Sequence, residues 1–369
     1  MAAKPLRPAL IASADVLAEY SPFLGHFLVG LAAESIVSAL ICPTKADVEM
    51  IAAPGVEIIR HPVYQFPLLW RQSRRRLLEQ LTRFKPTVLH CLCENKALFT
   101  MGLARELNLP YVLNINSLIK RLGKLYIAAM SCSKIMVPAE TIAENLTQLH
   151  AALTEKVEQV NMGTFVERSS GCFSQAGRLV SIVTAGEFDN GADLENLLSA
   201  VKRLALDGCE FMLVITGRGR VEMNLRRILA VKGLSHIVVV VPQLRPRHRV
   251  LAAGDIFIHL RPSDTFDPVL LEAMSVGTVV AACKGGVDDL LIEGQTCVVF
   301  DRNDELSIYK SLRGLLDRPE AARRLAKSAQ QYLQQNYSVS EMVLSMLRIY
   351  RDAQKQFKAK PKQQPVQAT

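Results

Sequence analysis

Short runs of β-branched and small apolar residues recur along this chain, each followed by a segment with helical spacing. No other feature constrains the fold as much. Strands separated by helices pair in parallel, and a parallel sheet needs helices on both faces. In the first half the strand candidates are Ala9–Ala12, Val37–Cys42, Val56–Arg60, Val88–Cys91, Tyr111–Ile115 and Lys134–Pro138. Helices fit between them. Ala97–Leu107 stops before the Asn108–Pro110 turn, Ala139–Thr154 reads as another helix, and Val157–Asn161 as a last short strand. A polar stretch with Gly and Ser, Glu167–Gly177, interrupts the pattern, which then restarts. Strands at Leu179–Ala185, Phe211–Thr216, Ile237–Val241, Ile256–Leu260, Thr278–Ala282 and Cys297–Phe300 alternate with further helices. Glu305–Leu316, Pro319–Asn336 and Ser340–Lys355 are helices that close the pattern.

The 369 residues exceed what one α/β core accommodates and suit two. The expected fold is α/β, two doubly wound Rossmann-like domains facing each other across a cleft. The first domain spans 1–168, a linker 169–177 and the second domain 178–339. A helix at 340–357 packs back toward the first domain, and 358–369 has the composition of a disordered tail. With 49% apolar residues the chain can bury sizeable cores. The formal charge of +9 points to an anionic partner, such as a nucleotide, a phospholipid surface or nucleic acid. No nucleic-acid module is recognisable, so that class is set aside.

The N-terminal segment lacks the continuous apolar run of a signal peptide, and Phe27–Cys42 carries Glu34 and is too short for a bilayer. A protein made and kept in the cytoplasm, or peripheral at the inner face of the membrane, is expected. The eight cysteines are scattered, mostly within apolar runs, as reduced thiols would be. Cys91 and Cys93 alone lie close together, a weak metal signal without a second pair.

Asp264–Gly277 reads DTFDPVLLEAMSVG. A carboxylate at the start of a helix and another eight residues on would lie about two turns apart, able to address different parts of one extended ligand. This segment resembles the acidic–x7–acidic signature of GT-B glycosyltransferases of the family 4 type. Ser181–Gly191 (SIVTAGEFDNG), Leu213–Gly219 (LVITGRG) and Lys284–Gly294 (KGGVDDLLIEG) resemble other pieces of that family's donor site, in order. In the first half, Val157–Phe165 resembles the strand and turn before the linker. The likeness is strong from about 175 to 345.

The resemblance implies a sugar transfer, with retention, from a nucleotide-sugar donor to a glycan or lipid-linked acceptor, without a metal cofactor. Glu272 would accept hydrogen bonds from ribose hydroxyls, Asp264 would contact the donor sugar, and the helix N-terminus near Phe266, Asp267, Pro268 and Val269 would face the diphosphate. Gly186, Gly217 and Arg218 would border the donor.

Four departures stand against this pattern. The cations that grip the diphosphate in the family fall at Glu187 and Asn190, removing two charge-assisted contacts. The Gly before the phosphate-binding helix is Asp267, followed by Pro268, a good N-cap and first-turn pair that is poor for phosphate. The family's His near the acceptor is Asn116, a third candidate catalytic residue, and Ser13-Ala14-Asp15 replaces a Gly-rich first loop. Arg220 and Lys284 are the candidates for a substitute phosphate contact. Two readings follow: an active transferase, or a GT-B fold that has lost turnover and serves as a binding or scaffold partner.

Leu68–Phe84 places Arg71, Arg74, Arg75 and Arg76 among Leu and Trp70. It is either a surface helix packed on the first sheet or a basic amphipathic helix lying on anionic membrane. His61, His90 and His259 end or follow strands and read as structural.

Overall fold

The computed structural model describes the chain except residues 1–4, 52, 63–66, 169–170, 175–176, 188–193, 219–220, 243–246 and 360–369. At 50, 67–70, 187, 218, 221–224, 242 and 247–248 only the backbone is described. The β-branched runs of the first half form β1 (Pro8–Ile11), β2 (Ser38–Pro43), β3 (Val56–His61), β4 (Val88–Cys91), β5 (Tyr111–Asn114), β6 (Lys134–Val137) and β7 (Val157–Gln159). They make one parallel sheet in the order β3-β2-β1-β4-β5-β6-β7. The chain steps outward from β1 to β3, then returns beside β1 as β4. Such a reversal opens a crevice at the carboxyl ends of β1 and β4.

The helices of this unit are α1 (Ala14–Glu19), α2 (Ser21–Ala33), α3 (Pro67–Phe84), α4 (Ala97–Leu107), α5 (Leu125–Ser131) and α6 (Glu140–Leu149). α4 ends where Asn108 takes a left-handed backbone with φ 51°. The helix expected over Ala139–Thr154 is shorter. His150 is extended (φ −158°, ψ 99°), stacks on Tyr126 at 4.4 Å, and leaves only a 3-10 turn at Ala151–Leu153. In α3, Ser73, Leu77, Leu81 and Phe84 are buried, so its apolar stripe faces the unit's own core while Arg71, Arg75 and Arg76 are exposed. Arg74 instead pairs with Glu106 at 2.7 Å.

The second unit contains β8 (Val180–Glu187), β9 (Phe211–Arg218), β10 (Val238–Pro242), β11 (Ile256–His259), β12 (Val279–Ala282) and β13 (Cys297–Val299). Its sheet is also parallel, in the order β10-β9-β8-β11-β12-β13, with the reversal between β8 and β11. α7 (Glu195–Leu206), α8 (Val221–Lys232), α9 (Arg247–Ala252), α10 (Pro268–Ser275), α11 (Glu305–Asp317) and α12 (Pro319–Asn336) are its helices.

The chain passes between the units at Gly163–Thr164 and again at Tyr337–Ser338. α13 (Val339–Ala359) therefore belongs to the first unit. Its buried stripe of Val343, Met346, Leu347 and Tyr350 lies on that unit's core, and a Cβ at Gly30 of α2 would meet Val343 Cγ2 at 2.4 Å. The Tyr350 hydroxyl reaches His90 Nδ1 at 2.6 Å, and His90 Nε2 reaches Asn114 Oδ1 at 2.8 Å. Because that Asn oxygen only accepts, Nε2 carries the proton and Nδ1 accepts from Tyr350. Burial lowers the His90 pKa to about 4, so the ring is neutral.

The Gly- and Ser-containing stretch near 169–177 is anchored to the second unit in its described part. Cys172 is part of the core there, and Asp255, 2% exposed, accepts from Phe173 N, Arg178 Nη2 and Ser181 N at 2.6, 2.9 and 2.8 Å.

Candidate functional site

In a doubly wound sheet the strands' carboxyl ends are where ligands bind, and the second unit gathers most of the candidate residues there. β8 and β9 run in register to their ends, Gly186 opposite Gly217 and Glu187 opposite Arg218. The two glycines are thus neighbours. Asn190 and Arg220 lie outside the described residues, and the side chains of Glu187 and Arg218 are not described.

β11 ends at His259, and the chain then builds the corner that holds the acidic signature. Ser263 Oγ accepts from Thr265 N at 3.1 Å and so turns the loop. Asp264 is exposed, Phe266 is buried, and α10 begins only at Pro268. Asp264 is therefore in the loop, three residues ahead of the helix cap. It does not lie two helical turns from Glu272 along one helix, as the spacing alone suggested. The reason is local: Pro268 disfavours helical backbone at the preceding residue, and Asp267 sits at φ −91°, ψ 105° as the N-cap. Glu272 lies four residues beyond Pro268, about 6 Å along the axis. It is 4% exposed, a degree of burial unusual for a carboxylate.

Asp267 does what its residue type favours. Oδ1 accepts from Val269 N at 2.8 Å, and Oδ2 is 3.2 Å from His259 Nδ1. Burial pushes the carboxyl pKa up, but the His259 hydrogen bond and charge and the amides of Val269 and Leu270 outweigh it, holding the group below the usual carboxylate range. The α10 N-terminus thus already carries an anion of the chain's own.

The next corner follows β12. Gly285 and Gly286 have φ of +123° and +68°. Gly285 N donates to Asp288 Oδ2 at 2.9 Å, and Val287 N to Ser263 O at 2.7 Å. A Cβ on Gly286 would lie 2.1 Å from Ser263 O, so glycine is required both for backbone conformation and for close approach. This contact ties the Lys284 loop to the Asp264 loop. Lys284 itself is exposed on the wall of an open cavity of about 420 Å³, shared with Pro262, Phe300, Asp301, Arg302 and Asn303.

Asn116 is in the first unit, just past β5. Its Nδ2 donates to Leu92 O at 2.9 Å and its backbone N to Glu94 Oε1 at 2.5 Å, while Ser117 Oγ donates to the same Glu94 oxygen at 3.2 Å. Asn116 Oδ1 is buried without a hydrogen-bond partner among the described residues. This corner forms at the carboxyl ends of β4 and β5 within one unit. Sequence reasoning missed Glu94 and Arg302. Each is recruited by strand pairing, from 22 and 18 residues away, and only their positions just past predicted strands marked them. Among the described residues no group of three or more His, Cys, Asp and Glu is arranged to hold a metal ion. Burial pushes the Cys91 thiol up to about 12, opposing the thiolate that a metal needs.

Residues 180–318, most of this second unit, match the family described as glycosyl transferases group 1. That stretch is similar to a group 1 glycosyltransferase domain. The matched residues span both corners of acidic and glycine-rich residues described above. A sulfoquinovosyl transferase of Arabidopsis thaliana is 24% identical over 299 residues, 73% of this chain and 58% of the relative. The chain thus spans little more than half the length of that curated relative. Among solved structures, a glycosyltransferase from Rickettsia africae superposes with a TM-score of 0.76 at 12% identity, over 96% of this chain and 100% of that one. An Anabaena protein in complex with UDP-glucose gives a TM-score of 0.74 at 11% identity, over 93% and 98%. At these identities the likeness establishes the fold alone: two Rossmann-like units of the GT-B class.

Proposed function

We propose that the protein transfers a sugar from a nucleotide-sugar donor to a glycan or lipid-linked hydroxyl, with retention of anomeric configuration. The observation that carries this reading is Glu272, a carboxylate 4% exposed in the first turns of α10, within the segment that matches the family. A carboxylate held that far from water suits pairing with two hydroxyl donors such as those of a ribose. Asp264, exposed in the preceding loop, is assigned to the donor sugar, and Gly186 and Gly217 give the backbone access that a bulky donor needs. In the reaction the bond from the anomeric carbon to the diphosphate oxygen breaks and a bond to the acceptor oxygen forms. The acceptor proton leaves with the nucleoside diphosphate. Charge on that leaving group is met by side-chain cations, and no metal cofactor is part of the reading. Support for a nucleotide-sugar donor comes from the Anabaena fold relative, which was crystallised with UDP-glucose. Asn116, with its buried acceptor oxygen, is assigned to the acceptor side.

One observation favours the alternative of a binding protein without turnover: Asp267 occupies the Val269 N–H that a diphosphate would otherwise take. Calorimetric titration with nucleoside diphosphates and their sugar conjugates separates the two. Binding of a nucleotide sugar, weakened by Glu272→Ala and followed by turnover, supports the transferase. Binding without turnover toward any glycan or lipid acceptor favours the alternative, and no binding across the panel removes both donor-based readings. No helix among the described residues is long and apolar enough to cross a membrane. A membrane role for the protein, at the cytoplasmic face, would rest on the exposed Arg71, Arg75 and Arg76 of α3, with contacts that depend on ionic strength.

A further inference from the structure

We infer that the cavity beside the ends of β12 and β13 is a subsite for a phosphate-bearing group, held between Lys284 and Arg302. β12 and β13 are adjacent parallel strands with Ala282 opposite Val299. Lys284 follows the first strand by two residues and Arg302 the second by three. Neighbouring strands are about 4.8 Å apart, so cations leaving both at the same end of the sheet can share one phosphate. Both residues line the same cavity of about 420 Å³, large enough for a diphosphate and open to solvent. Among the described residues neither Lys284 nor Arg302 is in an ion pair. The one carboxylate on the wall, Asp301, accepts from Asn303 N at 2.9 Å and is turned into its own loop. Two cations against this one carboxylate leave the lining with a net positive charge. This is the reverse of the α10 N-terminus, which the chain fills with Asp267.

The phosphate belongs either to the donor, in which case the subsite replaces the grip that Glu187 and Asn190 no longer provide, or to a separate phosphorylated ligand such as a phosphorylated acceptor. The first case rests on the proposed function and the second does not.

The test uses the full chain and inorganic pyrophosphate as the probe, followed by calorimetry at low and at physiological salt. Lys284→Gln combined with Arg302→Gln should weaken pyrophosphate roughly ten- to hundredfold. Lys310→Gln, an exposed cation on α11, should leave it unchanged. Equal binding to the wild type and the double variant, or no binding to the wild type, overturns the inference. Competition then identifies the source. If a nucleoside diphosphate displaces pyrophosphate, the phosphate is the donor's. If nucleotide sugar and pyrophosphate bind together, a second ligand occupies the subsite. If no nucleotide sugar binds while pyrophosphate still depends on the two cations, the proposed function falls and the subsite stands.

Discussion

At the end of β11 the protein supplies its own negative charge, whereas at the ends of β12 and β13 it presents cations that no carboxylate pairs with among the described residues. The two corners are stitched together by backbone contacts, Val287 N to Ser263 O and Cys283 N to His259 O. Helix N-termini attract anions through their free N–H groups and dipole. Here Asp267 satisfies that attraction and His259 steadies the carboxylate, so a phosphate arriving at α10 would compete with a covalently tethered rival. At the neighbouring corner Lys284 and Arg302 form no ion pair among the described residues, and Asp301 is the one carboxylate lining the cavity with them. The difference teaches that a site can keep its anion affinity while moving it along the sheet edge, provided the loops remain joined.

The joint itself gives the most damaging test. Gly286→Ala would force a left-handed backbone on alanine and push its Cβ against Ser263 O, a combined cost of about 2–4 kcal/mol. The urea midpoint by circular dichroism should fall. Unchanged dichroism would mean the loops can separate without loss, and the two corners would have to be treated as independent.

Glu272→Ala comes next in size. Under the ribose contact proposed for Glu272, removing the carboxylate should weaken nucleotide sugars about ten- to hundredfold. Pyrophosphate, which has no ribose, should bind the variant as it binds the wild type. A parallel loss of both ligands would show that the variant had disturbed α10 and not a single contact.

Much of this arrangement is legible from local pattern alone. The sheets follow from β-branched runs, α12 is bounded by Pro319 and Asn336 as its sequence suggests, and α4 stops at the asparagine that adopts positive φ. The Asp267 cap was legible too, because Asp followed by Pro has one favourable geometry at a helix start. What was not legible depends on register. Glu94 reaches Asn116 and Arg302 joins Lys284 only because β4 lies beside β5 and β13 beside β12. The start of α10 hid Asp264 in a similar way: the eight-residue spacing to Glu272 looks helical until Pro268 fixes where the helix can begin. His150 shows the same limit, since its stacking on Tyr126, 24 positions earlier in the chain, accompanies the break in a pattern that otherwise reads as continuous helix.

Asp267→Ala should act with opposite signs on the two sides of the comparison. Loss of the cap costs about 1 kcal/mol of stability, read from the same dichroism transition. Freeing the Val269 N–H and removing the carboxylate should tighten pyrophosphate roughly two- to fivefold. The Lys284 and Arg302 substitutions weaken the same probe. An Asp267→Ala protein that is less stable yet binds pyrophosphate no better would place the phosphate wholly in the β12–β13 cavity.

The smallest effect is the pH dependence of that cap. The Asp267 pKa is lowered in the folded protein despite burial, so the folded state favours the ionised form. Its contribution is complete above the ordinary carboxylate pKa of about 3.9 and disappears as pH falls through the lower, folded value. Asp267→Asn keeps a capping oxygen but cannot ionise. The stability difference between wild type and Asp267→Asn, on the order of 0.5 kcal/mol from charge at the helix end, should hold from pH 7 to about 5 and narrow toward pH 3. Parallel denaturation curves across that range measure it. A difference that stays constant would mean the ionised carboxylate adds nothing beyond its hydrogen bond. In that case the α10 N-terminus exerts little pull on anions, and the contrast with the cationic cavity would rest on Lys284 and Arg302 alone.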